Sequence, residues 1–239
     1  MYQWTPEMVR FLEDAAGRTE YYRRLAEALG RLLPREAQVC DVGCGLGHLA
    51  EALCPRFVRV TAVDCSSLAI DAFQSRLAGR QPENLSILRA DAFALPETLR
   101  FDAMVFCYFG SLPEVLRVAR KHCTGSVVII RRDYARHRFD LGDHPRRRAT
   151  AEETADALRG LGVACRRETL GLEFGQPLRS REDALGFFRL YLRDPAQEVR
   201  WETVAPKLIE TGDPAFPYYY PQSKNVSILR FDAAQIPRE

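Results

Sequence analysis

The sequence predicts an α/β protein: a doubly wound, mostly parallel, seven-stranded sheet with helices on both faces. An N-terminal helical cap precedes it, and a helical insertion interrupts it before the last strand. Three observations carry this prediction. A strand, a glycine turn and a helix start follow one another from Gln38 to Leu53. Apolar β-type runs then alternate with helical patterns, which is the signature of βαβ units with right-handed crossovers. One of the runs, Ser126-Val127-Val128-Ile129-Ile130, is unbroken and β-branched, as in a parallel strand buried on both faces.

The glycine turn organises the chain. Val39-Cys40-Asp41-Val42 ends in Gly43-Cys44-Gly45-Leu46-Gly47, and Leu49, Ala50, Ala52 and Leu53 open a helix at once. Glycine has no Cβ, so such a loop can take unusual dihedrals and lie directly against a ligand. The helix behind it presents unpaired N–H groups. The spacing is G-x-G-x-G and differs from the G-x-G-x-x-G of dinucleotide sites.

The elements follow in order. Thr5-Pro6-Glu7 starts a helix with proline in its first turn, and the helical stretch 5–33 breaks near Gly17 and closes at Pro34. The second strand, 57–63, ends at Asp64, about 20 residues past the glycines, where a doubly wound sheet can place an acid against ribose hydroxyls. Ser66 and Ser67 can cap the next helix, whose face is Ala69, Ile70, Phe73 and Leu77. A third strand, 84–90, ends at Asp91-Ala92-Phe93, and a fourth, 101–107, ends at Cys107-Tyr108. A helix over 113–122 leads to the fifth strand. Thr150-Ala151-Glu152-Glu153 is a capping box for a helix stopped by Gly162. Strands over 163–174 and 225–231 complete the sheet.

These four strand ends, taken as a set over about 100 contiguous residues, resemble class I (Rossmann-like) S-adenosylmethionine (SAM) methyltransferases. The resemblance implies SAM as cofactor. It implies that Gly43, Gly45 and Gly47 pass the amino-acid end of SAM, with Asp41 fixing the loop and the amino group. It further implies that Asp64, with Cys65 beside it, holds the ribose, that Asp91 and Ala92 meet the adenine, and that Cys107 faces the reacting methyl. Transfer from a sulfonium needs positioning and desolvation more than a catalytic triad. Where an acceptor arrives protonated, a base is needed; Tyr108, Tyr22, His48 and Asp133 are the candidates. The Asn/Asp-Pro-Pro-Tyr pattern of enzymes acting on base or glutamine amino nitrogens is missing at Cys107-Tyr108-Phe109-Gly110.

Composition bounds the rest. A chain of 239 residues with net charge +2 fits one domain and demands neither nucleic acid nor membrane. Its divisions are expected at 1–34 (cap), 35–175 (core), 176–224 (insertion) and 225–239 (last strand and tail). No apolar run approaches a membrane span, and no secretory signal opens the chain. Seven scattered cysteines without a C-x-x-C pair favour free thiols in the cytoplasm, and no metal site is expected. The leading expectation is methyl transfer to a small-molecule acceptor. The alternatives are SAM-dependent aminocarboxypropyl transfer, an RNA methyltransferase reading the arginine-rich segment 131–148, or a non-catalytic SAM-binding subunit. The oligomeric state is left open. The aromatic insertion is expected to be a lid or substrate wall; the alternative is a packed add-on or a dimer contact. As a lid it would be replaceable over 176–222 by a linker with SAM binding intact and turnover lost. Asp64→Ala is expected to weaken SAM binding while leaving the free protein's melting temperature nearly unchanged.

Overall fold

The computed structural model describes residues 3–133, 149–192 and 197–238. The arginine-rich segment 131–148 therefore lies outside the described residues except for Arg131, Arg132 and Asp133. Two helices, α1 (Pro6–Arg18) and α2 (Tyr21–Leu32), precede β1 (Gln38–Val42), α3 (His48–Leu53), β2 (Arg59–Asp64), α4 (Ser67–Leu77) and β3 (Leu85–Arg89). Then come β4 (Phe101–Cys107), α5 (Leu112–His122), β5 (Cys123–Arg132), α6 (Ala151–Gly160) and β6 (Arg166–Glu173). The insertion holds β7 (Gln176–Leu178), α7 (Arg181–Tyr191), α8 (Trp201–Val204), β8 (Ile209–Glu210) and β9 (Tyr218–Tyr220), and β10 (Ser223–Asp232) follows.

The main sheet has seven strands in the order β3-β2-β1-β4-β5-β10-β6. The first five run parallel, and β10 is antiparallel to both β5 and β6. The strand order reverses between β1 and β4. Ligands bind open α/β sheets outside the carboxyl ends of the strands at such a switch point, so the topology aims Asp41 and Cys107 at one cleft.

Alternation sorts the side chains into two cores. Val39, Val105, Val128, Ile130, Val226 and Ile228 pack with α2, α3 and α4. Cys40, Met104, Phe106, Val127, Ile129, Leu229 and Phe231 pack with α5 and α6. The expected caps are in place. Thr5 Oγ1 accepts from the Met8 amide, Ser66 Oγ from Ala69, and Thr150 shares a reciprocal capping box with Glu153.

The insertion differs from the expected helical piece in two ways. It contains a second, three-stranded sheet in the order β7-β9-β8, so Tyr218, Tyr219 and Tyr220 lie on a strand. Between Gln197 and Glu210 its helical content is α8 and a single 3₁₀ turn that contains Pro206, which has no amide donor to continue a helix. Its aromatics also point inward. Phe187, Phe188, Tyr220, Leu178 and Val204 form a third core with Phe11 of α1. Phe11 and Phe187 meet edge to face at 5.1 Å, and Phe188 and Tyr220 at 5.0 Å. Gln176 Nε2 donates to the Phe11 carbonyl, and Arg179 pairs with Asp14. The insertion thus clamps α1. Burying Phe11 contributes about 2 kcal/mol, and replacing 176–222 by a linker would forfeit it. That deletion reports on the stability of the cap before it reports on turnover.

Candidate SAM site

The glycine loop leaves β1 with Gly43, Gly45 and Gly47 all at positive φ. The Gly43 and Cys44 amides donate to the Val63 carbonyl at 2.8 and 3.0 Å, which pins the loop to the end of β2. At Gly45 the indole of Trp4 lies where a Cβ would point, 2.9 Å from that position. Phe109 closes on Gly43 in the same way. An N-terminal strap and the turn after β4 therefore cover the loop from two sides. The strap is anchored nearby. Glu13 of α1 accepts from Arg76 Nε at 3.2 Å and sits 3.4 Å from His48 Nε2, while Arg76 also donates to the Leu46 carbonyl. Burial acts to raise the Glu13 carboxyl, but His48 and Arg76 outweigh it and hold the group below its ordinary value.

Asp41 is the most unusual residue of the site. It lies in β1 between Ala62 of β2 and Val105 of β4, and it is 1% exposed. Neither carboxylate oxygen has a hydrogen-bond partner among the described residues. Burial, and then the charge of Asp64, push its acid up to about 7; the nearby Ala50 amide pulls it back slightly, short of a full hydrogen bond. A buried charge is costly unless paired, so the position suits a cationic ligand group.

Asp64 does more than the sequence reading expected. One of its oxygens accepts from the Gly45 amide at 2.9 Å, the other from Ser66 at 2.8 Å. Each oxygen keeps further acceptor capacity for a ribose hydroxyl. Because Asp64 also organises the loop, Asp64→Ala is expected to cost the free protein about 1–3 kcal/mol in addition to weakening SAM binding. Thermal denaturation without ligand checks this, and an unchanged melting temperature would restore the earlier expectation. Cys65 follows at an exposed position. Asp91 caps a 3₁₀ turn by accepting from Phe93 at 2.9 Å, with Ala92 buried behind it. Phe93 lies 6.1 Å from Phe109, so an aromatic wall flanks the end of β3.

Cys107 and Tyr108 end β4 beside the cap. Tyr108 is the only non-glycine residue at positive φ among the described residues. Its hydroxyl lies 2.7 Å from that of Tyr21. Tyr21 in turn packs on Phe174, with ring centroids 4.6 Å apart, a contact between distant segments that no motif marks. The base candidates separate on their surroundings. Burial, joined by the negative ends of Cys107, Tyr108 and Asp41, pushes the Tyr22 phenol well up, so it is a poor base near neutral pH. Tyr21 is raised in the same way. Asp133 accepts from Arg167, Ser227 and Thr169. Burial would raise it, but these partners hold it below its ordinary value, and it is turned away from the cleft strands into this network. His48 stacks on Tyr22 with ring centroids 5.2 Å apart.

A positive-φ glycine loop at the switch point, a buried acid beneath it and further acids at the ends of β2 and β3 make up the candidate site. Residues 39–124 match the family model described as "Methyltransferase domain". That stretch is thus similar to a methyltransferase domain, within a chain of Rossmann-like fold. No curated protein matches the chain. Solved structures share the fold at low identity. A SAM-dependent methyltransferase from Aquifex aeolicus superposes with TM-score 0.55 at 17% identity, over 71% of this chain and 94% of its own. The YcgJ protein from Bacillus subtilis gives 0.54 at 14%, over 87% and 97%. Magnesium protoporphyrin IX methyltransferase from Synechocystis, solved with bound S-adenosylhomocysteine (SAH), gives 0.50 at 11%, over 97% and 89%.

Proposed function

We propose that the protein binds SAM and transfers its methyl group to a small-molecule acceptor. The observation that carries this reading is Asp41: a buried, unpartnered carboxylate under a glycine loop, fitted to the ammonium of a cationic cofactor. SAM supplies an electrophilic methyl on a sulfonium, already a good leaving group. The chain's own residues bind and orient it. Gly43, Gly45 and Gly47 give the backbone close approach, Asp64 with Cys65 serves the ribose, and Asp91 with Ala92 serves the adenine. Cys107 and Tyr108 border the acceptor side. Tyr108 is held by Tyr21 and serves to position an acceptor, with Tyr22 beneath as a proton-retaining wall. In this reading the chain is one SAM-binding unit: cap 1–34, core 35–175, insertion 176–224 and tail 225–239. Its seven free thiols suit the cytoplasm. No helix among the described residues is long and apolar enough to cross a membrane.

The test uses the strap. The chain has two tryptophans, Trp4 and Trp201, and Trp4 lies on the loop. Titration with SAH is expected to change the intrinsic tryptophan fluorescence in parallel with the binding heat, whereas NAD changes neither. Trp4→Phe should abolish the fluorescence change and keep the heat. Tight NAD binding without a response to SAH would overturn the reading.

A further inference from the structure

β6 ends the seven-stranded sheet: one side of it pairs with β10, and no strand among the described residues lies on the other. The ladder decides which backbone groups face outward. The Phe174 amide donates to the Gln222 carbonyl at 2.8 Å, while the Asn225 carbonyl turns to the far side of β10 and accepts from Asp133. Bonded and non-bonded positions alternate along an antiparallel pair. Asn225 stands opposite Gly171, and Ser227 opposite Thr169. Gly171 and Thr169 therefore turn their N–H and C=O groups to the open edge.

A groove of about 380 Å³ follows that edge. One side is residues 169–172 of β6, and the other is α2, through Arg23, Arg24, Glu27 and Arg31. The acids around it are already shared. Arg23 pairs with Glu20 and Glu27, Arg56 also reaches Glu27 at 3.3 Å, and Arg31 meets Glu168 at 3.1 Å. Arg24 is exposed and has no ion pair or hydrogen bond among the described residues. Counting Arg56, four arginines thus meet three glutamates, and Arg24 is the surplus. Exposed ion pairs of this kind are weak, so an incoming carboxylate exchanges with them at little cost. Gly171 keeps the edge open, since only Asn225 Oδ1, at 3.5 Å, comes near the Cβ it lacks.

We propose that this groove is a docking site for a partner protein, and that it takes an extended acidic segment, which adds to β6 as a further strand. Main-chain hydrogen bonds to Thr169 and Gly171 give affinity, and carboxylates at alternate positions face α2, where Arg24 selects them. Other occupants fit less well. A second copy laid antiparallel on β6 would set α2 beside α2 and bring like charges together. Segment 134–148 of this chain carries five arginines against two aspartates, the wrong sign for the groove. An RNA strand has phosphates for the arginines but no peptide backbone for the edge. The site stands apart from the methyltransferase reading and does not depend on it.

The experiment titrates the full chain by fluorescence anisotropy at low ionic strength, where surface charges are least screened. The probes are dye-labelled, end-blocked peptides: one alternating glutamate with valine, one alternating lysine with valine, and the glutamate peptide N-methylated throughout. A short oligouridylate is the fourth probe. The glutamate peptide is expected to bind, and the other three at least about tenfold more weakly. Arg24→Glu turns an attraction into a repulsion and should weaken the glutamate peptide about tenfold, whereas Arg24→Lys should keep most of the binding. Gly171→Pro should have a similar effect, because it removes an amide from the open edge and none from the β10 ladder. Circular dichroism checks that the variants fold; should Gly171→Pro not, the Arg24 pair carries the test. Equal binding of any of the other three probes, binding of none, or a folded Arg24→Glu or Gly171→Pro variant that binds normally overturns the proposal. So does a dimer in sedimentation that Gly171→Pro dissociates, which would assign the edge to a second copy.

Discussion

Asp41→Asn is expected to make the free protein more stable at pH 8 and at the same time nearly unable to hold SAH. The reason is the position of the acid. In the folded protein it titrates at about 7, against 3.8 for an ordinary aspartate. A raised acid binds its proton in the fold when the unfolded chain has already lost it. Stability is therefore full below pH 4, falls as pH rises toward 7, and stays reduced above. The expected cost at pH 8 is about 2–4 kcal/mol. Asparagine carries no such cost, so the melting temperatures of the two proteins should converge near pH 4 and separate above neutrality. The ligand works in the opposite direction. A cationic ammonium against the carboxylate replaces the desolvation penalty with a charge-assisted pair, and losing it should cost about 3 kcal/mol of affinity, roughly a hundredfold. Wild-type affinity for SAH should rise between about pH 6 and 8 with release of a proton, whereas the asparagine variant should show a flat profile. Calorimetry in buffers of different ionisation heat reads the proton directly. A wild-type profile as flat as the variant's would remove Asp41 from the ammonium site.

Gly47→Ala is expected to be among the most destabilising single-methyl changes in the chain. Gly47 sits at φ +72, where an alanine is strained by about 1–2 kcal/mol. A Cβ there would also point into the Phe73 ring, 2.0 Å from its nearest carbon. Phe73 is fully buried in the core beneath α2, α3 and α4, so the ring cannot swing away without moving others. Overpacking of this kind adds about 1–3 kcal/mol, for a total loss of roughly 2–5. Gly79→Ala is the control. It has φ +75 with no atom within 4 Å of the added Cβ, so it carries the dihedral strain alone. Urea unfolding of both variants separates the two effects. A Gly47→Ala loss no larger than that of Gly79→Ala would show that Phe73 is not a wall.

The same residue shows what was legible in advance. The helix-entry glycines, the acids closing β2 and β3 and the β-branched run of β5 are local patterns. Their spacing is covalent, and a single conformation satisfies each of them. For that reason the seven-stranded sheet, its caps and the position of the loop could be read from the chain alone. Asp64 was legible as a strand-end acid, but its hold on the Gly45 and Ser66 amides was not. The turn of a carboxylate depends on the backbone path of a loop 19 residues earlier.

What only the tertiary structure decided lies in contacts between segments far apart in the chain. The aromatic insertion reads like a pocket wall in composition, and it is the packing against Phe11 that turns Phe187, Phe188 and Tyr220 into the core of a clamp. Composition sets how much apolar surface must be hidden, but not which surface hides it. Trp4 on Gly45, Tyr21 on Tyr108 and Lys224 over Phe174 join residues separated by tens of positions. No periodicity encodes such pairs. They follow from where the crossing elements land on the sheet, and so from the register and layer order that the sequence pattern prepares but does not specify.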